Sequence, residues 1–314
     1  MEEMGAIFHN ARIDGLARRE RGLSSGNEAT GGGLSRGSIQ ALGSPLARRV
    51  EAHEALESSQ RRARELAHEG PEQAPHGTLV VCGAQTGGRG RHGRRWGSPV
   101  GGLWMSVVLR PELTAGKAAR ITQTAAVGVA KALWEFGVEA RIKWPNDLLV
   151  EPDGRERGRK ICGILAESSV ENVPVASKRA GGGELDERRV DFVVLGVGLN
   201  ANLEPADLGV EDGGVATVSS ELGREVDLIE LLGTILSRLD HELSRVAGDF
   251  ESILDDWRAL DCTLGERVRV QSYDRTIEGR AVDLSAEGAL IIETTGGREE
   301  VYEGEVQHLR RQSR

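Results

Sequence analysis

The sequence predicts an α+β fold in which a large domain of mixed helices and strands precedes a small domain of strands alone. Two observations lead to this prediction. Between residues 59 and 260, segments with apolar residues at helical spacing alternate with short, continuous apolar runs typical of buried strands. After Cys262 the segments are short, alternate in polarity and are separated by turn residues, so about four or five consecutive strands indicate a small barrel.

The first 45 residues are expected to be a flexible extension. Glycines and serines are frequent around Gly26 and Gly32, a composition typical of linkers, and the part before them is too short for a folded domain. We therefore predict an extension over residues 1–45, a large domain over residues 46–261 and a small domain over residues 262–314.

The large domain is expected to contain four helices and five strands. Apolar residues recur three or four positions apart in each helix, and glycine or Gly-Pro ends the first two. Pro145 divides the third strand, because proline lacks the backbone donor that a strand needs. In chain order the elements are a helix at 59–68, strands at 78–83 and 102–109, a helix at 118–136, strands at 141–150, 160–167 and 191–200, and helices at 228–246 and 250–260.

Short strands and one exposed insert account for most of the remaining chain. The polar segment 171–188, which contains three consecutive glycines, is predicted to be an exposed loop. In the small domain, Gly296-Gly297 marks a tight hairpin. The strands predicted there are 266–271, 276–284, 289–295 and 299–310.

The composition indicates an intracellular protein without a structural metal site. The net charge is −9 and 39% of residues are hydrophobic, which supplies a core but argues against nucleic acid as the main partner. No run is long and apolar enough to span a membrane and no signal peptide follows the acidic start, so we expect a cytoplasmic location. Cys82, Cys162 and Cys262 lack Cys-x-x-Cys spacing and are expected to be buried thiols.

A glycine- and arginine-rich loop at residues 88–96 is the strongest indication of a binding site. Four arginines alternate with glycines there and precede Trp96, in a chain that is acidic overall. Arginine offers a planar fork of donors to carboxylate or phosphate, and glycine lets the backbone approach a ligand. The loop therefore predicts an anion site. Taken alone, a solvated basic loop or a loose RNA-binding segment would account for it as well.

Two further segments carry groups suited to the same site. Asn146 and Asp147 follow Pro145 at a strand end, where they can face a ligand or a metal ion, although an ordinary turn has the same composition. Lys160 stands at the entrance of an apolar strand. It is there either a solvated rim residue or a fixed charge that neutralises a carboxylate attacking a phosphate.

Together these segments resemble the biotin protein ligases over roughly residues 45 to 314. The Gly-Arg-Gly-Arg-x-Gly-Arg-x-Trp signature is complete from Gly88 to Trp96. Residues 143–147 match the family's Lys-Trp-Pro-Asn-Asp, residues 160–167 its Lys-x-x-Gly-Ile-Leu-x-Glu, and residues 196–200 its Gly-x-Gly-x-Asn. At residues 57–60, Glu-Ser-Ser-Gln stands where the family has an acidic residue followed by Ser-Thr-Asn. The contacts with biotin are therefore expected to differ in detail at these positions.

The resemblance implies a class II aminoacyl-tRNA synthetase-like catalytic domain, built as a mixed sheet with flanking helices, and an SH3-like C-terminal domain. It implies a biotin-[acetyl-CoA-carboxylase] ligase that uses ATP and Mg²⁺ to form biotinyl-5'-adenylate and then biotinylates a lysine of a biotin carboxyl carrier domain. The form expected is monofunctional, without specific DNA binding and without a membrane partner. A homodimer is compatible with the resemblance.

The resemblance also implies roles for individual residues. Catalysis is expected from Lys160, Arg91 and Asp147, and Asp147 would serve either Mg²⁺ or the acceptor lysine. The expected biotin contacts are Ser58, Ser59, Gln60, Gln85, Arg89, Gly90, Arg91 and Lys160. The expected ATP and adenylate contacts are Arg91, Arg94, Trp96, Asn146, Lys160 and Asn200.

Three alternatives fit parts of the sequence. A lipoate or octanoate protein ligase shares the fold and the reaction type, but the arginine signature and Lys-Trp-Pro-Asn-Asp favour biotin. A nucleic-acid-binding module explains the Arg-Gly loop and nothing else. A carrier-docking protein without catalysis would lack at least one charged site position, and all of them are present.

Overall fold

The computed structural model describes residues 33–150, 158–170, 188–208, 214–272 and 275–309. The predicted fold class is confirmed, because a seven-stranded mixed sheet with flanking helices is followed by a five-stranded antiparallel sheet. Within these ranges no helix is both long enough and apolar enough to cross a membrane. The polar insert after residue 170 lies outside the described residues.

The large sheet provides the platform of the molecule. Its strands are β1 (Arg49–Leu56), β2 (Thr78–Gln85), β3 (Leu103–Leu109), β4 (Ala140–Lys143), β5 (Asp147–Val150), β6 (Arg159–Val170) and β7 (Val190–Leu199). They are ordered β1-β2-β3-β7-β6-β5-β4 across the sheet. β1 and β2 run parallel, whereas the other neighbours are antiparallel. β3, β7 and β6 therefore form the centre of the sheet.

Helices cover both faces of this sheet, which explains the continuous apolar runs. The helices are α1 (Arg36–Gln40), α2 (Ser59–His68), α3 (Arg120–Glu135), α4 (Val218–Leu222), α5 (Leu228–Arg245) and α6 (Phe250–Leu260). α2 packs on one face, where Leu66 joins Val80 and Phe192 in a small apolar cluster. α3, α5 and α6 contribute to the main core on the other face, which also takes up Leu79 and Val81 of β2.

The small unit is an antiparallel sheet of five strands ordered β11-β10-β9-β8-β12. The strands are β8 (Arg267–Gln271), β9 (Thr276–Leu284), β10 (Leu290–Thr294), β11 (Gly297–Val301) and β12 (Glu305–His308). The hairpin at Gly296-Gly297 is confirmed, because Thr294 pairs with Gly297 across it. The single strand predicted over 299–310 is wrong, since Gly304 takes a φ of 152° and separates β11 from β12.

The start of the chain also differs from the sequence prediction. Residues 33–45 were expected within a flexible extension, but α1 lies there, and a capping box at Ser35 stabilises its N-terminus. Leu34 and Ile39 are at most 1% exposed and belong to the main core, with Leu46. The five-residue helix is too short for its apolar spacing to be recognised. The rest of the predicted extension, residues 1–32, lies outside the described residues.

β1 was not predicted at all. It alternates polar and apolar residues weakly and most of its side chains are only partly buried, as suits a strand at the edge of a sheet. The cysteines agree better with prediction: all three lie within the described ranges as unbridged thiols. Cys82 and Cys162 are buried and Cys262 is partly buried.

Candidate active site

The predicted site residues converge on one face of the central strands. The N-terminus of α2, the end of β2, the arginine-rich loop that follows it and the first residues of β5 and β6 all meet there. Of the predicted residues, Ser59, Gln60 and Gln85 form one group. Arg91, Trp96, Asn146, Asp147 and Lys160 form a second group, so the site consists of a polar pocket and a cationic region.

The polar pocket begins at the first turn of α2. Ser58 caps the helix, with its hydroxyl accepting a hydrogen bond from the Arg61 backbone N–H. The Ser59 backbone N–H donates to the side-chain oxygen of Gln85 at 2.8 Å. Gln85 in turn donates from its amide nitrogen to the Ser98 hydroxyl at 2.8 Å. The orientation of the Gln85 amide is thereby fixed, with its oxygen toward the helix.

Gln60 lies flat against the central strands. Its amide nitrogen donates to the Val194 carbonyl at 2.9 Å and to the Glu167 carboxylate at 3.1 Å. A Cβ atom at Gly196 would lie 2.5 Å from the Gln60 side-chain oxygen, so the bare backbone of β7 makes room for the amide. The long side chain that distinguishes this sequence from the family pattern is accommodated by that glycine.

Ser106, on β3, links these side chains from below. Its hydroxyl donates to the Gln60 side-chain oxygen at 3.1 Å and lies 2.9 Å from the Ser59 hydroxyl. Ser106 is fully buried, and Ser58, Ser59 and Gln60 are at most 8% exposed. Sequence analysis missed Ser106, although a lone serine inside an apolar strand is a signal that could have identified it.

The arginine-rich loop is a small hairpin of its own. Arg89 and Arg95 form an antiparallel bridge, and the Gly90 N–H donates to the Arg94 carbonyl at 2.7 Å. The Arg89 side chain is two-thirds exposed, and its guanidinium lies 3.9 Å from the carboxylate of Glu57, the residue before Ser58. The contact of Arg89 with biotin stays a prediction.

Arg91 and Arg94 connect the loop to the small unit. The Arg91 guanidinium donates to the Asn146 side-chain oxygen at 3.2 Å and to the Gly304 carbonyl at 3.1 Å. Burial lowers the pKa of Arg91, while the charge of Asp147 opposes this shift. Arg94 forms a bidentate ion pair with Glu305. Sequence analysis missed Gly304 and Glu305 because these residues lie more than 200 positions from the loop that they contact.

Trp96 rests on a floor of glycine. Cβ atoms at Gly163 of β6 and Gly198 of β7 would lie 3.1 Å and 2.7 Å from its indole ring. The indole N–H is buried, and among the described residues it has no hydrogen-bond partner. The glycines of the two strand motifs therefore provide a flat surface that accepts an aromatic ring.

Lys160 lies where this aromatic ring meets a carboxylate. Its ammonium is 2.7 Å from Asp147 and 4.7 Å from the centroid of the Trp96 ring. Asn146, next to Asp147, donates its amide nitrogen to the Ile164 carbonyl at 2.7 Å, which fixes the turn after Pro145. The Asp147 carboxylate therefore lies beside Lys160 at the entrance of β6, while the Asn146 amide contacts β6 further along.

Asn200 lies beneath this region rather than in it. It is 1% exposed, and its amide nitrogen donates to the Ala216 carbonyl at 3.0 Å and to the Lys160 carbonyl at 3.3 Å. The Asn200 side chain thus fixes the backbone that carries Lys160. Its direct contact with a nucleotide stays a prediction.

The arrangement can bind an anion beside a neutral polar group. Arg91 and Lys160 supply positive charge that is partly shielded from water, where electrostatic interactions are strengthened. The adjacent pocket offers buried hydroxyl and amide groups. Such a pair of subsites can hold a small polar molecule by one end and present the other end to a phosphate.

Comparison with known proteins gives the same assignment for both units. Residues 55–177 match the model of the Biotin/lipoate A/B protein ligase family, and residues 263–309 match that of the Biotin protein ligase C terminal domain. The chain is 34% identical over 259 residues to the Bifunctional ligase/repressor BirA of Bacillus subtilis, covering 81% of this chain and 72% of the relative. It is 33% identical over 235 residues to the Biotin--[acetyl-CoA-carboxylase] ligase of Paracoccus denitrificans, covering 72% of this chain and 88% of the relative.

A solved structure supports the comparison in three dimensions. The chain is similar to the biotin protein ligase from Aquifex aeolicus in complex with biotin and ATP. The TM-score is 0.63 at 25% sequence identity, and the match covers 84% of this chain and 100% of the other.

Proposed function

This chain belongs to the biotin protein ligase family, and from that premise we propose how its residues carry out the reaction. The activity is ATP-dependent ligation of biotin through biotinyl-5'-adenylate. The family's protein substrate is the biotin carboxyl carrier domain of a biotin-dependent carboxylase. The observation that supports the residue assignment is the meeting of Lys160, Asp147 and Arg91 beside the pocket of Ser59, Gln60 and Gln85.

The polar pocket is proposed to hold the ureido ring of biotin. The ring carries two N–H donors and one carbonyl acceptor, and Ser58, Ser59 and Gln60 offer hydroxyl and amide groups close together. A site of this kind rejects ligands that leave its buried polar groups unpaired. Lipoate, which has a dithiolane ring without N–H donors, is therefore expected to bind poorly.

The cationic region is proposed to hold the carboxylate of biotin against the α-phosphate of ATP. Both groups are negative and repel each other unless cations lie between them. Lys160 and Arg91 would neutralise them, and Gln85 would direct its free amide proton toward the biotin carboxylate or the adenylate. Trp96 and Asn146 would contact the nucleotide.

Two steps follow from this placement. A carboxylate oxygen of biotin attacks the α-phosphorus, the bond to the bridging oxygen breaks, and pyrophosphate leaves with the electron pair. In the second step the amine of the carrier lysine attacks the acyl carbon and AMP leaves. Lys160 and Arg91 would stabilise the negative charge that develops on the phosphate oxygens in the first step.

Mg²⁺ is proposed to accompany ATP rather than to occupy a site made by the protein. Within the described ranges, no three histidine, cysteine or acidic side chains lie close enough together to hold a metal ion. Mg²⁺ commonly binds through substrate phosphates and one or two carboxylates. Asp147 is the carboxylate that fits this role here, and Mg²⁺ would supply the positive charge that balances the phosphates.

The assay that tests this function is ATP–pyrophosphate exchange, run with biotin and then with lipoate. Exchange that requires biotin, followed by transfer to an isolated biotinyl domain, is the expected result. Exchange with lipoate or octanoate at a comparable kcat/KM would replace the proposal with that of a lipoate ligase.

We further propose that this enzyme acts without specific DNA binding. A net charge of −9 disfavours approach to a duplex, since affinity for DNA depends largely on neutralising phosphates. A gel shift at physiological salt, with biotinyl-adenylate present, tests this. Sequence-specific retention of DNA would refute it.

A further inference from the structure

A continuous chain of four polar side chains runs beneath the polar pocket, from Glu167 through Gln60 and Ser106 to Ser59. The successive contacts are 3.1 Å, 3.1 Å and 2.9 Å long. Ser59, Gln60 and Ser106 are at least nine-tenths buried, so the contacts among them are shielded from competing water. This chain of contacts is called the serine relay below.

The acceptor groups at one end fix the orientation of the Gln60 amide. The amide nitrogen faces the Glu167 carboxylate and the Val194 carbonyl, both of which can only accept. The nitrogen must therefore be on that side, and the side-chain oxygen must face Ser106. A flipped amide would set oxygen against oxygen at both contacts, one of them fully buried.

The Gln60 orientation then determines the direction of the next two hydrogen bonds. Ser106 has a single hydroxyl proton, which it donates in a hydrogen bond to the side-chain oxygen of Gln60. A buried acceptor left without a donor is not compensated for the water that it has lost, which disfavours any other position of that proton. In the contact between the two serine hydroxyls, Ser59 is consequently the donor and Ser106 the acceptor.

We propose that Ser106 is a positioning residue that makes the Ser59 hydroxyl a hydrogen-bond acceptor toward the pocket. Ser106 is 0% exposed and acts through Ser59. With its proton committed to Ser106, the Ser59 oxygen can receive a hydrogen bond and cannot give one. The group that it receives from must carry an N–H or O–H.

This inference rests on the proposed function and refines its specificity. The ureido ring of biotin presents an N–H donor, which matches an acceptor at Ser59. A ring oxygen at the same place would set two acceptors against each other. Ser106 therefore determines which polarity of ligand the pocket accepts.

The first measurement is steady-state kinetics of Ser106→Ala with biotin and with ATP. The variant frees the Ser59 proton to rotate, so the KM for biotin should rise about tenfold. The kcat and the KM for ATP should stay within about twofold of wild type. Thr78→Val serves as the matched control, because it removes a buried hydroxyl from the neighbouring strand β2, where the Thr78 hydroxyl donates to the Pro75 carbonyl.

The second measurement tests whether Ser106 acts through Ser59. In a double-mutant cycle, Ser59→Ala with Ser106→Ala should bind biotin no more weakly than Ser59→Ala alone, within about twofold. Independent, additive effects would overturn the proposal, since they would mean that Ser106 acts by another route.

The third measurement reads polarity directly. Two cyclic carbamate analogues of biotin, each with a ring oxygen in place of one ureido N–H, are compared with biotin in wild type and in Ser106→Ala. One of the two analogues places its ring oxygen opposite Ser59. For that analogue, the ratio of its KM to the KM for biotin should be about tenfold smaller in Ser106→Ala than in wild type. An unchanged preference for both analogues would overturn the proposal. If wild type fails to bind biotin, the proposed function itself is wrong, and this outcome is distinct from a failure of the serine relay.

Discussion

At the scale of single residues, the contacts of Lys160 in the ligand-free protein bear most directly on the proposed mechanism. Its ammonium is paired with Asp147 at 2.7 Å and lies over Trp96. The side chains of Lys160 and Asp147 are 31% and 25% exposed, so the pair is reachable by an incoming anion. In the proposed mechanism, Lys160 exchanges its carboxylate partner for a phosphate when ATP binds.

Lys160→Ala is expected to reduce adenylate formation by roughly a thousandfold or more, because it removes a charge aimed at the transition state. The melting temperature should change little, since an ion pair of this exposure contributes at most about 1 kcal/mol. ATP–pyrophosphate exchange and thermal unfolding measure the two quantities. Lys117→Ala, at an exposed lysine, is the control. Exchange near the wild-type rate in a folded variant would show that Lys160 is a rim residue.

The types of residue in the site could be predicted from sequence, but their partners could not. Lys160, Asp147 and Arg91 are indicated by charge, spacing and adjacent turns. Ser106 and Gly304 contact the site through space, and a local pattern gives no information on contacts between distant segments. The same limit explains why the proximity of Arg89 to Glu57 was not predicted.

At the scale of elements, the connection between α6 and β8 carries a buried carboxyl group. Asp261 accepts hydrogen bonds from the Thr263 and Leu264 backbone N–H groups, and the adjacent Cys262 N–H donates to the Ile142 carbonyl at 3.0 Å. Burial raises the pKa of Asp261 to about 6. Since the folded-state pKa lies above the usual value, the stability contributed by this group is complete near pH 4 and is lost as pH rises toward 6.

Asp261→Asn should therefore gain stability relative to wild type as the pH is raised. The free energy of unfolding of wild type minus that of the variant should fall mainly between pH 4 and pH 6, by roughly 3 kcal/mol at most over the whole titration, and level off above about pH 7. Urea unfolding at several pH values measures it. Asp283→Asn is the control, because that carboxylate is about half exposed and pairs with Arg258. A constant difference for Asp261→Asn would contradict the buried titration.

Two deletions at the start of the chain distinguish the contribution of α1 to stability from that of residues 1–32. Removing residues 1–45 takes away Leu34 and Ile39, each worth roughly 1.5–3 kcal/mol of burial. We expect the melting temperature to fall by at least roughly 5 °C. Removing residues 1–32 leaves these contacts in place and should leave melting and ligation unchanged. Equal melting temperatures for the two deletions would mean that α1 adds nothing to the core.

Long elements could be predicted well, and short or edge elements could not. The helices near residues 59 and 250 and the central strands follow from periodicity, because each buries a continuous stripe or run of apolar residues. α1 has five residues and β1 lies at a sheet edge, so neither generates a distinctive pattern. α1 and β1 are stabilised instead by packing against the main core, which includes Ile39 and Val50.

At the scale of the whole molecule, the arginine-rich loop lies between the two units. Arg91 donates to Asn146 of the large unit and to Gly304 of the small one, and Arg94 pairs with Glu305. The position of the loop is therefore set by both units together. A change in either unit is therefore expected to move the loop and, with it, its proposed contact with the adenylate.

Arg91→Gly should still form biotinyl-adenylate but lose it to solvent about tenfold faster, because the loop is no longer held to both units. Released adenylate would biotinylate lysines of an added bystander protein. Arg95→Gly, at an exposed position of the same loop, controls for added flexibility. Labelling confined to the carrier lysine, with wild-type release of the intermediate, would contradict the role of Arg91.

The glycine floor beneath Trp96 has an optical consequence. The chain has five tryptophans, and Trp104, Trp144 and Trp257 are at most 1% exposed, while Trp134 is 41% exposed. In a Trp134→Phe background, the solvent-sensitive fluorescence would come mainly from Trp96. Its ring lies under the Lys160 ammonium, which is attracted to the face of the indole. If a phosphate binds Lys160 as proposed, the charge beside the indole changes, and Trp96 fluorescence would report phosphate binding in a stopped-flow instrument without any label.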